Sequence, residues 1–563
     1  MTERMLLGID AGGTHTDAVL IRNGKEKNEI LAKAKVQTRH DDLPSSVNAV
    51  LDALSADLSS VSQVTLGTTL AVNAIVQGRL DPVGLLLAAG PGLAPERFAL
   101  GSYVAVAQGG LDHRGVEVTP LNTKGLAATL ADWKERGVHS VACVSKFSPR
   151  NPDHEKKLAL LAEEAGMTVT QGHKLSGRLN FPRRIATAWY NAAVSKVHNA
   201  FLDAVTEVLR LRGIQAQIRL LKADGGSIPL GLARKEPVQT ILSGPAASVM
   251  GVLALAKSEG TALLLDVGGT TTDIALLADG SPVLDRDGMR IGGRRTLVRA
   301  LASISIGIGG DSLITVCDGN VQTGPKRLGN AMAFGGDAPT LLDALNFEGP
   351  LSGDTGDRAR SEKGIEALAS KHALSPHTLA QKAITMALDA IYENAHSLLE
   401  RVNSRPIYTL RGLRSYTKMA PERIFLVGGP AHCLRDRLCE RFSLPVEIPE
   451  EADVANAIGA ALTKPTDTLD VYADSAHRTL RAPRLDVHEK LTGSATLDSV
   501  KKRALDLLAN HLTENGIEDA SVEVVEEDIF AVLDDYGSSS RDIRVSCQVV
   551  PGITGKAHAD RSL

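Results

Sequence analysis

Asp10-Ala-Gly-Gly-Thr-His-Thr-Asp17 returns later in the chain as Asp266-Val-Gly-Gly-Thr-Thr-Thr-Asp273. Aligned without a gap, Asp10–Gly24 and Asp266–Gly280 share eight of fifteen residues. Each copy follows one apolar run and precedes another, a pattern that predicts a strand, a glycine turn and a second strand. A repeated hairpin predicts two related halves of the protein that face one another.

The tips of both predicted hairpins have the chemistry of a phosphate site. Paired glycines let backbone N–H groups approach an anion closely, and a strand-end carboxylate can hold a hydrated Mg²⁺. Hydroxyl groups that could donate to phosphate oxygens are those of Thr14, Thr16, Thr270 and Thr272. A tight hairpin that binds nothing is the alternative for either copy alone, and the repetition favours the phosphate site.

Composition places the chain among globular α/β proteins. Its 563 residues exceed what one core supports, so we expect two to four domains. The content of 43% hydrophobic and 23% charged residues, with 52 glycines, favours strand–loop–helix transitions.

A net charge of −4 gives no reason to expect a nucleic acid or an anionic membrane as partner. The longest apolar stretches are far shorter than a membrane span, and we expect a cytoplasmic protein.

The cysteines give no pattern of a metal site or a disulfide framework. There are five, widely spread and without a C-x-x-C motif, so we expect ordinary thiols. Cys433 and Cys439 lie six residues apart, and an iron–sulfur site shared between two chains is the alternative there. The cysteines are Cys143, Cys317, Cys433, Cys439 and Cys547.

Strand and helix patterns alternate after the first hairpin, which fits a sheet covered by helices. The turn Gly67-Thr68-Thr69 follows a short buried strand and begins a helix. Its N–H groups could face phosphate, or the turn could be an ordinary helix cap. A boundary is predicted near residues 172–182, before a long helix at Arg184–Leu211 that should pack on a core along one face.

The second half offers further glycine turns and a helix of small residues. Gly309 and Gly310 lie in one turn, and Gly428 and Gly429 end an apolar strand, where no side chain blocks the approach of a nucleotide. The predicted helix Val454–Leu462 could cross another helix closely, as a hinge between two lobes requires. Beyond it, the helix Ser499–Asn515 and the strands Val522–Leu533 and Arg541–Val550 predict a small α+β domain, for which we expect a docking or assembly role.

The order of these elements resembles the actin, sugar-kinase and chaperone-ATPase superfamily. Within it, the chain most resembles the hydantoinase/5-oxoprolinase family, specifically the ATP-binding A subunit. The resemblance covers roughly residues 5–460. The segments that carry it are Leu7–Asp17, Gly67–Thr69 with Asn73, Ser148–Glu155, Asn191, Asp224–Gly226, Pro237–Ala246, Asp266–Asp273 and Pro339–Asp343.

The resemblance implies an α/β fold with two actin-like (ribonuclease-H-like) lobes, each a mixed sheet flanked by helices. The expected units are 1–180 and 181–463 for the lobes and 464–563 for the small C-terminal α+β domain. Asp10 and Asp266 are then the catalytic carboxylates near Mg²⁺, and Asp17 and Asp273 are secondary candidates or brace the hairpins. Residues expected to bind ATP are Gly12, Gly13, Thr14, Thr16, Gly67, Thr68, Gly268, Gly269, Thr270, Thr271, Gly309, Gly310, Gly428 and Gly429.

The activity that the family implies is ATP-dependent opening of a cyclic amide, such as a hydantoin or a 5-oxoproline-like lactam. The amide oxygen takes the γ-phosphoryl group, and water attacks the activated carbon. An ATPase that drives a change in a partner protein and a small-molecule kinase are the two alternatives. The segment Gly90–Gly110 differs from the family's arginine-rich stretch near the substrate. No second half resembles the family's B subunit, so a B-subunit-like partner and self-association both stay open.

Overall fold

Two antiparallel hairpins lie inside two separate mixed sheets, as the repeat predicts. The structure is a computed structural model that describes residues 3–24, 27–39, 42–90, 92, 94–285, 287–349, 355–404, 418–491, 495–518, 520–533 and 539–559. We use "first lobe" for β1–β12 with α1–α7, "second lobe" for β13–β24 with α8–α13, and "C-terminal domain" for β25–β29 with α14.

The bounds of the elements follow in chain order. Strands of the first lobe are β1 (Arg4–Ala11), β2 (His15–Asn23), β3 (Asn28–Gln37), β4 (Val61–Thr68), β5 (Val83–Ala88), β6 (Tyr103–Val106), β7 (Gln108–Leu111), β8 (Glu117–Asn122), β9 (Ser140–Ser145), β10 (Thr168–Gln171), β11 (Gln217–Leu221) and β12 (Ser227–Pro229). Strands of the second lobe are β13 (Thr261–Val267), β14 (Thr272–Ala278), β15 (Ser281–Pro282), β16 (Leu284–Asp285), β17 (Arg290–Ile291), β18 (Arg294–Arg295), β19 (Ala300–Leu301), β20 (Ser303–Ile306), β21 (Ile314–Cys317), β22 (Asn320–Thr323), β23 (Arg423–Val427) and β24 (Val446–Glu447). The remaining strands are β25 (Thr468–Asp474), β26 (Thr479–Ala482), β27 (Val487–Lys490), β28 (Val522–Leu533), β29 (Ser539–Val549) and β30 (Ala557–Ala559).

The helices cover both lobes and the C-terminal domain. They are α1 (Leu43–Ala53), α2 (Leu70–Val76), α3 (Leu126–Glu135), α4 (Asp153–Glu164), α5 (Gly172–Leu175), α6 (Phe181–Leu211), α7 (Leu230–Lys235), α8 (Ser243–Leu255), α9 (Leu341–Glu348), α10 (Arg358–Lys371), α11 (Pro376–Asn403), α12 (Ala431–Phe442), α13 (Ala455–Leu462) and α14 (Leu497–Glu514). Among the described residues, no helix is long and apolar enough to cross a membrane.

Each lobe is built on a mixed sheet that contains one copy of the repeat. In the first lobe the strand order is β12-β11-β4-β1-β2-β3-β30, and in the second it is β15-β14-β13-β23-β24 with β20 on β14. The repeated hairpins are β1–β2 and β13–β14, and the strand parallel to the first strand of each is β4 or β23. The fold is therefore the predicted pair of actin-like α/β lobes.

Sheet membership differs from the units expected from sequence. Strands β11 and β12 lie beyond residue 180 and still belong to the sheet of β1, and β30 from the end of the chain pairs in parallel with β3. One sheet contains strands from both sides of residue 180 and from both sides of residue 463. The division into units at these residues therefore stays a prediction.

The C-terminal domain is an antiparallel sheet, β27-β26-β25-β29-β28, with α14 packed on it. Buried ion pairs fasten it to the rest of the chain. Arg484 donates to both oxygens of Glu236 at 3.0 Å and to Asp467, and Arg150 donates to Asp542 at 2.8 Å. The pKa of the Asp467 carboxyl is held far below its usual range, where burial is opposed by the charge of Arg484.

Helix α13 runs between the two lobes through notches made by glycine, as the small residues of Val454–Leu462 predict. A Cβ atom on Gly8 of β1 would lie 2.0 Å from the carbonyl oxygen of Ala457, and one on Gly251 of α8 would lie 2.1 Å from that of Ala455. Such distances lie far inside van der Waals contact, so each notch accepts glycine alone. One short helix therefore touches the first strand of one lobe and the first helix of the other.

We expect Gly251→Ala to destabilise the protein by roughly 2–3 kcal/mol, because the new methyl group meets backbone atoms that cannot yield. Gly231→Ala is the matched control, since Gly231 also lies in a helix and a Cβ there meets nothing within 4 Å. That control should be neutral or stabilise by up to about 1 kcal/mol. Scanning calorimetry of both variants measures the difference, and equal melting temperatures would contradict the close crossing.

Candidate functional site

The tips of the two hairpins have the same turn and touch each other. The N–H of Gly12 donates to the carbonyl of His15 at 3.1 Å, and that of Gly268 donates to Thr271 at 2.9 Å. The hydroxyls of Thr14 and Thr270 lie 3.2 Å apart, so the tips meet across the space between the lobes. The structure thus brings together the two halves of the predicted phosphate site.

Several N–H groups at these tips have no hydrogen-bond partner among the described residues. A run of unpaired backbone N–H groups in a turn is a typical anion site. The free N–H groups include those of Gly13, Thr14, Gly269 and Thr270. A Cβ atom on Gly13 would meet nothing within 4 Å, so the first tip borders open space.

The two predicted catalytic carboxylates are joined by one side chain, Asn456 of α13. Its amide nitrogen lies 3.3 Å from Oδ2 of Asp10 and 3.4 Å from Oδ2 of Asp266. The Ser248 hydroxyl of α8 donates to the same oxygen of Asp266 at 2.5 Å. Oδ1 of Asp10 is buried and takes no hydrogen bond from the described residues.

A second aspartate stands opposite each of these carboxylates. Asp10 is paired with Asp17 across β1 and β2, and Asp266 with Asp273 across β13 and β14. The Lys35 ammonium lies 3.0 Å from Asp17 and donates to the carbonyl of Asp453 at 2.8 Å. In the second lobe the strand position that corresponds to Lys35 holds Ser305, opposite Asp273.

Burial and mutual repulsion raise the pKa of three of these four carboxyls. Burial is the main cause for Asp10, whose pKa rises to about 7 with a further contribution from the charge of Asp17. Burial also raises the pKa of Asp273 to about 7 and that of Asp17 to about 6, the latter opposed by Lys35. The cluster is therefore poised to change its protonation near neutral pH.

The Gly67 turn gives Asp10 its space and begins α2. A Cβ on Gly67 would lie 2.3 Å from Oδ1 of Asp10, so only glycine fits beside the carboxylate. The Thr68 hydroxyl accepts from the N–H of Leu70 at 3.1 Å, a local turn just before α2, whose N-cap residue Thr69 makes no side-chain cap bond. The Thr68 carbonyl also accepts from the hydroxyl of Ser243, the first residue of α8, at 3.2 Å.

The predicted glycines of the second half gather behind and beside the second tip. The N–H of Gly310 donates to the carbonyl of Gly268 at 2.9 Å, and a Cβ on Gly309 would lie 2.6 Å from that of Gly269. Gly428 has a φ of +98°, and a Cβ there would lie 2.8 Å from Oδ1 of Asp266. By contrast, a Cβ on Gly429 meets nothing within 4 Å, so this position borders open space.

Two threonines predicted to bind ATP, Thr16 and Thr271, make different contacts in the structure. The Thr16 hydroxyl is buried and lies 2.9 Å from that of Thr38, which in turn donates to the carbonyl of Gly12 at 3.0 Å. Thr271 lies at the second tip, where its carbonyl closes the turn. In this structure Thr16 thus braces the first hairpin from inside, and its role toward a ligand stays a prediction.

Sequence reasoning missed Asn456, Ser248 and Lys35. Asn456 is the one polar side chain in the apolar run Ala455–Leu462, which is the signal that could have found it. Ser248 and Lys35 carry no such signal, because neither stands out from its neighbours before the strands and helices are placed.

The residues at this site fit a hydrated divalent cation and a polyphosphate. Mg²⁺ usually keeps several waters and binds one or two carboxylates together with phosphate oxygens. Asp10 and Asp266 offer two carboxylates with a free oxygen, and unpaired N–H groups stand at both tips. No group of three or more histidine, cysteine or acidic side chains that could hold a metal by itself occurs in the described part of the chain.

We expect Asp10→Asn to change how stability depends on pH when Mg²⁺ is removed with a chelator. The folded-state pKa of Asp10 is raised, so the folded protein binds more protons between about pH 4 and 7, and its stability falls as the pH rises through that range. The variant lacks this loss and should gain about 2–4 kcal/mol over the wild type at pH 8 and roughly a third of that at pH 5.

Denaturant unfolding at pH 5 and pH 8 tests this expectation. Asp279→Asn is the control, because Asp279 is an exposed carboxylate at the far end of the second hairpin. If the free energies of unfolding of Asp10→Asn and the wild type differ by the same amount at pH 5 and at pH 8, the raised pKa of a buried Asp10 is contradicted.

Comparison with known proteins adds several relatives. Over 411 residues the chain is 28% identical to the caprolactamase subunit alpha of Pseudomonas jessenii, covering 65% of this chain and 58% of that one. Over 423 residues it is 26% identical to the acetophenone carboxylase gamma subunit of Aromatoleum aromaticum, covering 64% and 56%. The matched part therefore spans less than two thirds of either relative.

Two solved structures share the fold over nearly the whole chain. A nucleotide-free structure of acetone carboxylase has a TM-score of 0.72 at 18% identity and covers 97% of this chain and 88% of that one. The ATP-dependent caprolactamase from Pseudomonas jessenii has a TM-score of 0.69 at 22% identity and covers 97% and 87%.

The family assignment rests on two matches that follow one another along the chain. The N-terminal region of the hydantoinase/oxoprolinase family matches residues 6–166, and the family described as Hydantoinase/oxoprolinase matches residues 184–468. The second match alone covers half of the chain. The chain belongs to the hydantoinase/oxoprolinase family.

Proposed function

We propose that this protein binds ATP with Mg²⁺ between its two hairpins and uses it to activate the carbonyl oxygen of a small cyclic amide for ring opening. The observation that carries the proposal is the joining of Asp10 and Asp266 by Asn456, beneath two touching tips with unpaired N–H groups. Family membership and the ATP-dependent relatives support it.

The tips supply the phosphate contacts. The free N–H groups of Gly13, Thr14, Gly269 and Thr270 can donate to phosphate oxygens, and open space borders Gly13 and Gly429. Asp10 and Asp266 would hold the hydrated Mg²⁺, which supplies neutralisation of phosphate charge. A site assembled from two lobes positions phosphates most fully when the lobes are closed.

ATP, when bound, would supply a phosphoryl group to the amide oxygen, which makes the ring carbon a better electrophile. Ring opening follows when water adds to that carbon and the C–N bond breaks, so that the nitrogen leaves as an amine and the acyl phosphate is hydrolysed to a carboxylate and inorganic phosphate. Amides resist hydrolysis, so this activation is what makes ring opening by water feasible. Among the residues of the chain, Asp10 suits the orientation of the attacking water, since its Oδ1 takes no hydrogen bond from the described residues. Asp266, with donors from Ser248 and Asn456 on one oxygen, suits the cation.

The names of the relatives, and no feature of a binding cavity, suggest which class of substrate this protein takes. One relative is named a caprolactamase, and others are named acetophenone and acetone carboxylase subunits. A lactam and a ketone both present a carbonyl oxygen to a phosphoryl donor. Ring opening of a lactam or imide is the function we propose, and ketone activation is the second candidate that these relatives favour.

A partner subunit is part of the proposal. Three of the relatives are named as subunits, and the matched part spans 58% and 56% of the first two of these. We propose that a B-subunit-like protein completes the hydrolysis in the cytoplasm and that this chain supplies the ATP site.

A turnover assay tests the function. ADP release is measured with hydantoin, 5-oxoproline, caprolactam, acetone and acetophenone, each with and without a candidate B subunit, and with bicarbonate for the ketones. Stimulation by a lactam or imide supports the proposal, and stimulation by ketones alone supports the second candidate. Substrate-independent turnover would indicate an ATPase that acts on a partner, and a released phosphorylated product would indicate a kinase.

We expect Gly13→Leu to abolish nucleotide binding without unfolding the protein. A side chain at Gly13 meets open space in the protein, so folding tolerates it, while the same space is needed by the phosphates. Calorimetric titration with ATP and Mg²⁺ should show at least a tenfold weaker affinity, about 1.4 kcal/mol. Gly231→Leu, also in open space but far from the tips, is the control. Unchanged affinity in Gly13→Leu would remove the first tip from the site.

A further inference from the structure

The position of Asn456 is fixed by the contacts of its two neighbours in α13. The carbonyl of Ala455 occupies the notch at Gly251 of α8, and the carbonyl of Ala457 occupies the notch at Gly8 of β1. A third notch lies at Gly459, where a Cβ would be 2.1 Å from the carbonyl of Ala247. The helix backbone at Asn456 is thus held against both lobes at once.

The side chain of Asn456 uses that position to reach one carboxylate from each lobe. Its amide nitrogen makes contacts of 3.3 Å and 3.4 Å to the Oδ2 atoms of Asp10 and Asp266. The amide carries two N–H donors, one for each oxygen, and both contacts are longer than an ordinary hydrogen bond. Among the described residues, no other side chain donates to Asp10.

The electrostatic setting explains why a donor is needed there. Two carboxylates that share one amide repel each other, and Asp17 and Asp273 stand directly behind them. Hydrogen bonds to a charged acceptor are about twice as strong as neutral ones, and an isolated buried carboxylate is costly. The amide therefore offsets repulsion across the space between the lobes.

We propose that Asn456 is a positioning residue of the nucleotide site, whose amide holds Asp10 and Asp266 at the spacing that Mg²⁺ and the phosphates require. This inference rests on the proposed function and specifies how closure of the lobes and ligand binding are linked. Opening the lobes would separate Asp10 from Asp266, so the amide could keep both contacts only while the two carboxylates lie as close as they do here. The residue acts through the two carboxylates, as a hydrogen-bond donor.

The rival role for an asparagine beside two carboxylates is that of a cation ligand through its carbonyl oxygen. The two roles predict opposite effects of Asn456→Asp. A carboxylate at 456 is a better Mg²⁺ ligand than an amide. It is also a third negative charge that donates nothing, and it would push Asp10 and Asp266 apart. Asn456→Ala removes the amide and adds no charge, so comparing the two variants separates the roles.

The experiment measures ATP affinity by calorimetry over a range of Mg²⁺ concentrations for the wild type, Asn456→Ala and Asn456→Asp. We expect affinity at saturating Mg²⁺ to fall roughly tenfold in Asn456→Ala and further in Asn456→Asp, as loss of hydrogen bonds to charged groups implies. Asn394→Ala and Asn394→Asp are matched controls, because Asn394 is also helical and donates only to its own helix, at Ala390. Their affinities should equal that of the wild type.

Small-angle scattering of the ligand-free proteins gives a second readout that does not depend on nucleotide. We expect a larger radius of gyration for Asn456→Asp than for the wild type and no change for Asn394→Asp. Scanning calorimetry checks that each variant is folded, and Asn456→Ser replaces the alanine variant if that one does not fold.

The outcomes separate the inference from the proposed function. An Asn456→Asp variant that binds ATP with Mg²⁺ as well as or better than Asn456→Ala overturns the donor role. Equal scattering of all ligand-free proteins overturns the link to closure. A wild type that binds no ATP at any Mg²⁺ concentration overturns the proposed function itself, and the inference with it.

Discussion

Gathering four aspartates, two buried and two half-buried, between two lobes is the physical constraint that the rest of this structure answers. Each hairpin places one aspartate at the end of its first strand and another directly opposite, so the repeat doubles the charge as well as the fold. In a medium of low dielectric constant such charges repel strongly, and the raised pKa of Asp10 expresses that cost. The donors found around them follow from this problem: Asn456 between the lobes, Ser248 on Asp266 and Lys35 on Asp17.

The two halves answer the constraint differently, which breaks the symmetry of the repeat. Asp17 faces Lys35 across β2 and β3, whereas Asp273 faces Ser305 at the corresponding place in the second lobe. A lysine compensates a charge, and a serine only donates a hydrogen bond. Lys35 also donates to the carbonyl of Asp453, just before α13, so the compensated half is tied to that helix. Equal hairpins thus acquire unequal electrostatics, which would suit the different roles proposed for Asp10 and Asp266.

The fold was predictable because its signals are local and repeated. Two copies of one glycine hairpin predicted two facing lobes, and small residues at Val454–Leu462 predicted a close helix crossing, since both patterns are written in consecutive residues. Strand membership was less predictable, because β11, β12 and β30 join the first sheet over long distances in sequence. Propensity and periodicity carry no information about such pairings. The predicted site residues Asp10 and Asp266 do lie together, yet Asn456, which joins them, is 190 residues away from the nearer one.

The glycine strand ends show how a correct pattern can have a cause other than the expected one. Gly67 and Gly428 were predicted as places where a nucleotide approaches the backbone. In the structure a Cβ on Gly67 would lie 2.3 Å from Oδ1 of Asp10. A Cβ on Gly428 would lie 2.2 Å from the carbonyl oxygen of Val267 and 2.8 Å from Oδ1 of Asp266. Gly67 lies in β4, which runs parallel to β1, the strand that bears Asp10. Gly428 directly follows β23, which runs parallel to β13, the strand that bears Asp266.

Besides the hairpins, the two lobes thus share a second feature: a glycine at the end of the neighbouring parallel strand, beside the aspartate. The hairpin supplies a carboxylate, and the neighbouring parallel strand supplies the space in which one of its oxygens can lie. Asn456 contacts Oδ2 of both aspartates. Oδ1 of each aspartate lies in the space beside its glycine. For Asp10, this oxygen has no hydrogen-bond partner among the described residues. The repeat thus duplicates more than a glycine turn, because it duplicates a carboxylate together with the glycine beside which one of its oxygens lies.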